Sequence, residues 1–330
     1  MTPLFFIIGV LSGTIFLLSW GTWGHQHINH AAVFALPAEM RPFFYNHIDF
    51  ITEEAVMPDI RKYTINDKPE FARHFINLES FQAAGMDSLP QTMKEVLASH
   101  DAAFLDKNGI LPWYLMEMME KLTAAFRIKR KAEILFLAAD LGHYLGDAHM
   151  PLHTSLNHDG ELTGQKGIHA LWESQLPEQF GNSYHFYTGN AVYVGDIRQA
   201  VWRIIMNSHH LVDTLLLAEK KLKDEFPAEK IYSKDASGNV LKNKFSQPVH
   251  SPEYVNAYHD RLNGMIQKQL LAAISATASF WYTAWVNAGK PGISELDSPE
   301  LTKRNSKNYV ADYMLWKKGR LNGFKVDKEF

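Results

Sequence analysis

Two histidine and carboxylate pairs give this sequence its clearest capacity for chemistry. His143 is followed four positions later by Asp147, and His169 is followed at the same spacing by Glu173. Residues four apart lie one turn apart on the same face of a helix, so each pair could hold a metal ion between an imidazole nitrogen and a carboxylate oxygen. A metal ion bound in this way can activate a water molecule for hydrolysis.

The spacing of these pairs does not by itself establish a metal site. The chain has 16 His and 36 acidic residues, which predict about two such pairs by chance, and three are present. The third pair, His209 with Asp213, lies among apolar residues at helical spacing and is interpreted as part of an ordinary amphipathic helix. The first pair differs, because Pro151 should end or kink its helix and let His153 turn toward a second site.

A longer, ordered series of residues carries a family resemblance. The series consists of Trp20-Gly21-Thr22-Trp23-Gly24-His25, the segment from His143 to His153, and His169-Ala170-Leu171-Trp172-Glu173. It resembles the superfamily of zinc-dependent phospholipases C and single-strand-specific nucleases over about residues 20 to 180. In that superfamily a signal peptide is removed, and the tryptophan that then begins the chain binds zinc through its free amine and its carbonyl oxygen.

The resemblance implies three zinc ions, with Asp147 bridging two of them. The implied ligands are Asp59, His74, His143 and Asp147 for the first ion, His153, His169 and Glu173 for the second, and Trp20, His25 and Asp147 for the third. Asp59 is expected to be either a ligand or a general base that orients the attacking water. Arg61 or Lys62, which follow Asp59 closely, is expected to contact the substrate phosphate.

The overall composition narrows the class of protein. With 330 residues, of which 46% are hydrophobic and 21% charged, the chain is typical of a folded protein with a large core. A net charge of -3 provides no general attraction for polyanions, so any binding of nucleic acid must be local. The absence of cysteine excludes disulfide bonds and thiolate metal ligands.

The distribution of residues along the chain predicts three parts. The apolar run from Leu4 to Leu18 is short for a membrane span and suits a signal peptide, so residues 1–19 are predicted to be removed during export to the periplasm or the medium. An uncleaved segment that anchors the protein in a membrane is the alternative. Residues 20–290 are predicted to form one zinc-dependent phosphoesterase domain, and residues 291–330 a C-terminal tail.

Helical periodicity predicts an all-α fold, a single multi-helix bundle of the kind that the resemblance implies. Apolar residues recur at spacings of three and four in the segments 24–36, 38–55, 90–100, 112–126, 128–149, 168–176, 195–224 and 251–287, and a short helix is expected near 309–318. At most a small β-hairpin is expected, at residues 230–241 around Ser237-Gly238. Residues 154–167 are expected to form a loop between two ligand-bearing helices.

Other histidines and aromatic residues are interpreted as structural. The histidines that match no ligand position, and are expected at the surface or in hydrogen bonds, are His27, His30, His149, His158, His185 and His210. The aromatic residues expected in the core rather than in a binding surface are Phe280, Trp281, Tyr282 and Trp285.

The function predicted from these residues is zinc-dependent hydrolysis of a phosphate ester by a metal-activated water. Glu173 resembles the phospholipase branch, which favours a phospholipase C-like phosphodiesterase that acts on a phospholipid head group. The alternative is a single-strand-specific endonuclease or 3'-nucleotidase acting on single-stranded nucleic acid, because the spacing from His169 to Glu173 also resembles that branch. A second alternative is a non-catalytic exported zinc-binding helical protein, and no stable protein partner is predicted.

Overall fold

The computed structural model describes residues 21–65, 67–81, 89–243 and 246–326, and within these ranges the chain is all-α, as predicted. The predicted signal peptide at residues 1–19 and the predicted role of Trp20 lie outside the described residues. The α-helices in chain order are α1 (Gly21–Ala35), α2 (Arg41–Asn46), α3 (Ile48–Glu53), α4 (Met57–Thr64), α5 (Lys68–Ala72), α6 (Leu78–Phe81), α7 (Met93–Ser99), α8 (Ala102–Asn108), α9 (Leu111–Arg127), α10 (Lys131–Ala148), α11 (Ile168–Ala170), α12 (Leu176–Phe180), α13 (Ile197–His209), α14 (Val212–Glu225), α15 (Pro252–Arg261), α16 (Met265–Asn287) and α17 (Pro299–Lys317).

The centre of the bundle is formed by α1, α9, α10 and α16, in which α10 and α16 pack against each other and α1 and α9 each pack against both. Each contributes a large buried ring, namely Phe34, Trp113, Tyr144 and Trp281. The indole of Trp281 donates a hydrogen bond of 2.9 Å to the carbonyl of Ala138, so its polar atom is satisfied inside the core. Burial of each large apolar side chain stabilises the fold by about 1.5–3 kcal/mol, which fixes these four helices relative to one another.

Two glycines on α10 allow α1 to lie close to it. A Cβ atom at Gly142 would lie 1.8 Å from Oδ1 of Asn29, and one at Gly146 would lie 3.0 Å from Nδ1 of His25. Asn29 is fully buried and donates a hydrogen bond of 3.0 Å to the carbonyl of Ala139 on α10. The close approach therefore brings His25 against the half of α10 that carries the predicted ligands.

The main helices occur where the periodicity predicts them, but three predicted helices are divided. The breaks fall at His47, at residues 210–211 and at residues 262–264. Asn263 and Gly264 adopt φ values of 48° and 74°, in the left-handed region that ends a helix, so the Asn-Gly sequence there was a stop signal. Four further helices, α4, α5, α6 and α8, were not predicted because each is eight residues or fewer.

The C-terminal segment contributes a longer helix than the one expected at 309–318. It begins at Pro299, after Ser298 caps it by accepting a hydrogen bond of 3.2 Å from the amide of Leu301. Trp316 is fully buried and donates to the carbonyl of Phe186 at 3.1 Å. The segment predicted as a tail is therefore packed against the body of the protein.

The predicted β-hairpin is present as isolated bridges. Lys234 pairs with Val240 across the expected turn, and further antiparallel bridges join Lys242 to Pro248 and Tyr232 to His250. The aromatic residues of α16 also agree with prediction, since Phe280, Trp281 and Trp285 are buried and Tyr282 is partly buried. Within the described ranges, no helix is both long enough and apolar enough to cross a membrane.

The packing of α1 on α10 predicts an unusual effect of adding a methyl group. In an exposed helix, Gly→Ala stabilises by about 1 kcal/mol. We expect Gly142→Ala instead to lower the free energy of unfolding by about 1–3 kcal/mol, because the methyl would overlap Asn29. Chemical denaturation followed by circular dichroism measures the change, with Ala132→Ser, exposed on the same helix, as a control that should shift stability by less than about 0.5 kcal/mol. A Gly142→Ala protein as stable as the natural chain would contradict the close packing.

Candidate metal centre

The C-terminal half of α10 provides the centre of the site. His143 and Asp147 both lie on it and are fully buried. The helix ends at Ala148, and Pro151 begins a short 3-10 turn, Pro151–Thr154, that carries His153. The predicted break at Pro151 is therefore present, and it turns His153 back toward Asp147, whose Oδ1 lies 3.7 Å from Nδ1 of His153.

Four other segments bring the remaining predicted ligands to α10. His25 lies on α1, Asp59 in the first turn of α4, and His74 in the turn that follows α5. His169 lies on α11, and Glu173 lies on the π-helical turn Leu171–Gln175 that continues it. All five residues are at most 6% exposed, so the structure gathers them in its interior.

These residues form three buried clusters that could hold metal ions. The clusters are His25 with His143 and Asp147, Asp59 with His74 and His143, and His153 with His169 and Glu173. In each cluster the candidate ligand atoms lie within 4.8 Å of one another. Every predicted ligand among the described residues belongs to one of them, and Asp147 also lies beside His74, so it reaches the second cluster as well as the first.

The separations between ligand atoms around Asp147 fit tetrahedral coordination. Ligands about 2.0–2.1 Å from a zinc ion would be about 3.3 Å apart. Oδ2 of Asp147 lies 3.0 Å from Nδ1 of His74 and 3.3 Å from Nε2 of His143, and those two nitrogens are 3.1 Å apart. On the other side, Oδ1 of Asp147 lies 3.5 Å from Nε2 of His25. One carboxylate thus faces two groups of imidazoles.

Backbone carbonyls fix the direction in which three of the imidazoles present their nitrogens. Nδ1 of His143 hydrogen bonds to the carbonyl of Ala55 at 2.8 Å, and Nδ1 of His153 to the carbonyl of His74 at 2.6 Å. Nδ1 of His169 bonds likewise to the carbonyl of His158 at 2.7 Å. A carbonyl only accepts, so each Nδ1 carries a proton and Nε2 is the ring nitrogen that faces the cluster, as in many histidines that bind metal ions.

The third cluster requires a cation. Nε2 of His153 lies 3.3 Å from Nε2 of His169, and Oε2 of Glu173 lies 3.0 Å from the latter. Glu173 is fully buried, and neither of its carboxylate oxygens accepts a well-aligned hydrogen bond within the described part of the chain. Burial would lower the pKa of His169, but Glu173 and Asp159 raise it to about 9, so a proton can serve as this cation. A proton joins only two of the three groups, whereas a metal ion satisfies all three.

The charge state of Asp59 favours a role as a ligand. Nζ of Lys62 lies 3.0 Å from Oδ1 of Asp59. Burial would raise the pKa of Asp59, but Lys62, together with His143 and His74, lowers it to about 2. A carboxylate with so low a pKa stays ionised and is a weak proton acceptor, which suits a metal ligand better than a general base.

Glu70 supports the site and was missed in the sequence. It is fully buried, hydrogen bonded to the hydroxyl of Tyr144, and paired with Arg61 at 3.1 Å and Arg73 at 3.0 Å. Its Oε1 lies 3.6 Å from Nε2 of His74, which leaves Nδ1 of His74 facing the cluster. Glu70 precedes His74 by four residues. This is the spacing of the pair His143 and Asp147 with the carboxylate first, and it could have indicated Glu70 as a partner of His74.

A cavity of about 240 Å³ gives access to the ligand residues. Its lining residues are Lys62, Phe71, His74, Phe75, Asn77, Lys107, His153, Leu156, His158 and His169. Three predicted ligands therefore lie on its wall, and the other walls combine aromatic, apolar and basic side chains. A larger groove of about 640 Å³, lined by residues such as Met119 and Arg198, contains none of the predicted ligands that lie in the described ranges.

The two residues predicted to contact phosphate have different environments. Lys62 is 8% exposed and lines the cavity beside Asp59. Arg61 is held instead by Asp140, at 2.7 Å, and by Glu70, and it is not among the residues that line the cavity. The geometry therefore favours Lys62 over Arg61 as a substrate contact.

The loop between the ligand-bearing segments is held by side chains that the sequence did not single out. Oδ1 of Asp159 accepts hydrogen bonds from the amides of Gly167, at 2.9 Å, and His169, at 3.2 Å. Gln165 is 4% exposed and donates to the buried Glu219 at 2.7 Å. These bonds fix the start of α11 and hence the position of His169.

The remaining histidines belong to none of the three clusters. Three of them form hydrogen bonds through Nδ1. His27 bonds to the carbonyl of Trp23 and His149 to the carbonyl of Leu145, while His30 bonds to the hydroxyl of Thr52. His158 has a larger part than expected, since its carbonyl orients His169 and its ring lines the cavity. His209 bonds to the carbonyl of Thr154 at 2.9 Å and so supports the turn that carries His153.

Comparison of the chain with models of known protein families gives no match, and no curated protein matches it.

The shared position of Asp147 predicts how metal binding responds to substitution. We expect Asp147→Asn to reduce bound metal more than Glu173→Gln, because Asp147 faces the ligands of two clusters and Glu173 faces those of one. Elemental analysis after zinc loading and removal of free metal measures the content. A metal ion held by these clusters should also raise the melting temperature of the natural chain, because the clusters are assembled only in the folded state. His210→Gln, outside the clusters, is the control, and an Asp147→Asn protein with undiminished metal content would contradict the shared role.

Proposed function

We propose that this protein is a zinc-dependent phosphate ester hydrolase of the phospholipase C and single-strand nuclease type, with three zinc ions. The observation that carries the proposal is the third cluster, where Nε2 of His153, Nε2 of His169 and the buried carboxylate of Glu173 meet, and where neither carboxylate oxygen accepts a well-aligned hydrogen bond within the described residues. Nitrogen and oxygen donors of this kind suit zinc, whereas calcium and magnesium prefer shells made only of oxygen.

The proposed ligands follow the clusters. Asp59, His74, His143 and Asp147 would hold one ion, and His153, His169 and Glu173 another. His25 and Asp147 would hold the third together with Trp20. Trp20 can supply an amine ligand only if the chain is cut after Ser19, so the proposal includes a cleaved signal peptide and export.

The residues around the cavity have distinct roles in the proposed reaction. Bound zinc would supply a Lewis acid and lower the pKa of a coordinated water to about 7. Lys62 would place its ammonium beside the substrate phosphate, where negative charge grows during hydrolysis. Backbone carbonyls and Glu70 would hold the imidazoles in one orientation throughout.

A phospholipase C-like phosphodiesterase is the favoured activity. Glu173 supports this choice, as do the exposed apolar side chains Phe71 and Leu156 on the cavity wall, which suit a glyceride. Single-strand nuclease activity is the second candidate, because the exposed ring of Phe71 on the cavity wall is also one on which a base could stack.

The proposed function is tested with the mature, zinc-loaded protein on a generic phosphodiester, phosphatidylcholine, single-stranded DNA, RNA and a 3'-nucleotide. We expect hydrolysis of the generic diester and of phosphatidylcholine, lost after chelation and restored by zinc. Cleavage of nucleic acid without cleavage of phospholipid would favour the nuclease. Tight zinc binding without hydrolysis of any ester would overturn the enzyme proposal and leave an exported zinc-binding protein.

The different environments of Lys62 and Arg61 give a matched pair of variants. We expect Lys62→Gln to lower kcat/KM for the generic diester by about tenfold to a hundredfold, since it removes a cation from the cavity. Arg61→Gln removes the same charge one residue away. It should lower the melting temperature, because the partners of Arg61 are Glu70 and Asp140, and it should lower kcat/KM less than Lys62→Gln does. Zinc content is measured in both, and equal losses of kcat/KM at equal zinc content would contradict the assignment.

A further inference from the structure

The outer face of α17 carries an exposed stripe that lies outside the proposed active site, and one of its members, Lys317, also lies over the rings of Tyr187 and Tyr313. The stripe consists of Lys303, Lys307, Val310, Met314 and Lys317, at alternating spacings of four and three. Such spacings place the residues along one side of a helix, over a length of about 21 Å. We call this set the α17 stripe.

The opposite face of the helix is the one that packs on the protein. Trp316 is fully buried there, the hydroxyl of Tyr309 accepts a hydrogen bond of 3.0 Å from Arg41, and Asp312 accepts one of 2.5 Å from Tyr45. These contacts fix the rotation of the helix about its own axis. The stripe therefore faces outward, with Val310 58% exposed and Met314 53% exposed.

The same region concentrates positive charge. Residues 299–326 contain seven Lys or Arg and two Asp or Glu, which gives a net charge of +5. The whole chain carries -3, so the other residues together carry -8. The C-terminal segment is thus basic while the rest of the chain is acidic, and this asymmetry would orient the segment toward a negatively charged surface.

The combination of side chains distinguishes between negatively charged partners. Phosphates of a nucleic acid would pair with the lysines but would offer nothing to Val310 and Met314. A second copy of the chain would place lysines against lysines. A lipid surface accommodates both, because the aliphatic stems and the two apolar side chains enter the head-group region while the ammonium groups meet lipid phosphates.

We propose that the α17 stripe binds the surface of a membrane that contains anionic lipids. The helix lies flat on that surface, held by Lys303, Lys307 and Lys317 and by shallow insertion of Val310 and Met314. This binding is separate from the metal centre and does not depend on the proposed hydrolysis.

Vesicle sedimentation with the full mature protein tests the proposal, using phosphatidylcholine vesicles with and without phosphatidylglycerol. We expect much tighter binding to the vesicles with phosphatidylglycerol than to those of phosphatidylcholine alone, and this difference should shrink as salt is added. Lys303→Gln, Lys307→Gln and Lys317→Gln together should lower the partition coefficient at least about tenfold. The control replaces the exposed Lys220, Lys221 and Lys230 with Gln, which removes the same charge elsewhere and should leave most binding intact.

Several results would overturn the proposal. Equal loss of binding in the stripe and control variants would show that the attraction comes from lysines in general and not from the α17 stripe. Absence of binding to both kinds of vesicle would show that the stripe does not bind membranes. Stripe-dependent binding of a single-stranded oligonucleotide without vesicle binding would assign the face to nucleic acid, and stripe-dependent dimerisation in solution without vesicle binding would assign it to a second copy.

A second variant tests the apolar contribution separately. Val310→Ser with Met314→Ser keeps every charge and changes only two exposed side chains, so folding should be unaffected. We expect severalfold weaker binding to the anionic vesicles, most evident at high salt where the electrostatic attraction is screened. Unchanged binding would reject insertion of these residues into the interface.

Discussion

The carboxylate of Asp147 is fully buried and lies within 3.7 Å of nitrogen atoms from four histidines, His25, His74, His143 and His153. An isolated negative charge in such a place is costly, because the interior cannot replace the solvation that water provides. Its position at the C-terminal end of α10 adds to the cost, since the free carbonyls there are the negative end of the helix dipole. The surrounding segments place four imidazoles around this carboxylate, where they can hold positive charge beside it, and the positions of the other predicted ligands depend on this arrangement.

The hydrophobic core and the site are parts of the same packing arrangement. Close contact between α1 and α10 at Gly142 and Gly146 belongs to the core, yet it also sets the distance between His25 and Asp147. Tyr144 likewise contributes to both the core and the site. Its ring is fully buried in the core, and its hydroxyl hydrogen bonds to Glu70, whose carboxylate lies beside Nε2 of His74. Substitutions in the core near α10 would therefore affect both stability and ligand geometry.

Sequence patterns predicted the parts of this structure that depend on local repetition. The long helices follow from periodicity, and the two pairs at a spacing of four, with the break at Pro151, indicated where ligands would gather. The sequence could not show that Lys62 would line the cavity while Arg61 would pair with Asp140. Neighbouring side chains on a short helix point in different directions, and Asp140 is distant from Arg61 in sequence. The carbonyls that orient the imidazoles were equally hidden, since any residue type supplies a carbonyl and only the fold decides which one is near.

The segments that carry His74 and His153 are also joined to each other. Nδ1 of His153 donates to the carbonyl of His74 at 2.6 Å, and the amide of Ile76 donates to the carbonyl of His153 at 2.8 Å. These reciprocal bonds tie residues 74–76 to the turn at 151–154, although the two lie more than seventy positions apart in the chain. His74 belongs to one cluster and His153 to another, so the two clusters form one mechanical unit in which displacement of either histidine strains the other.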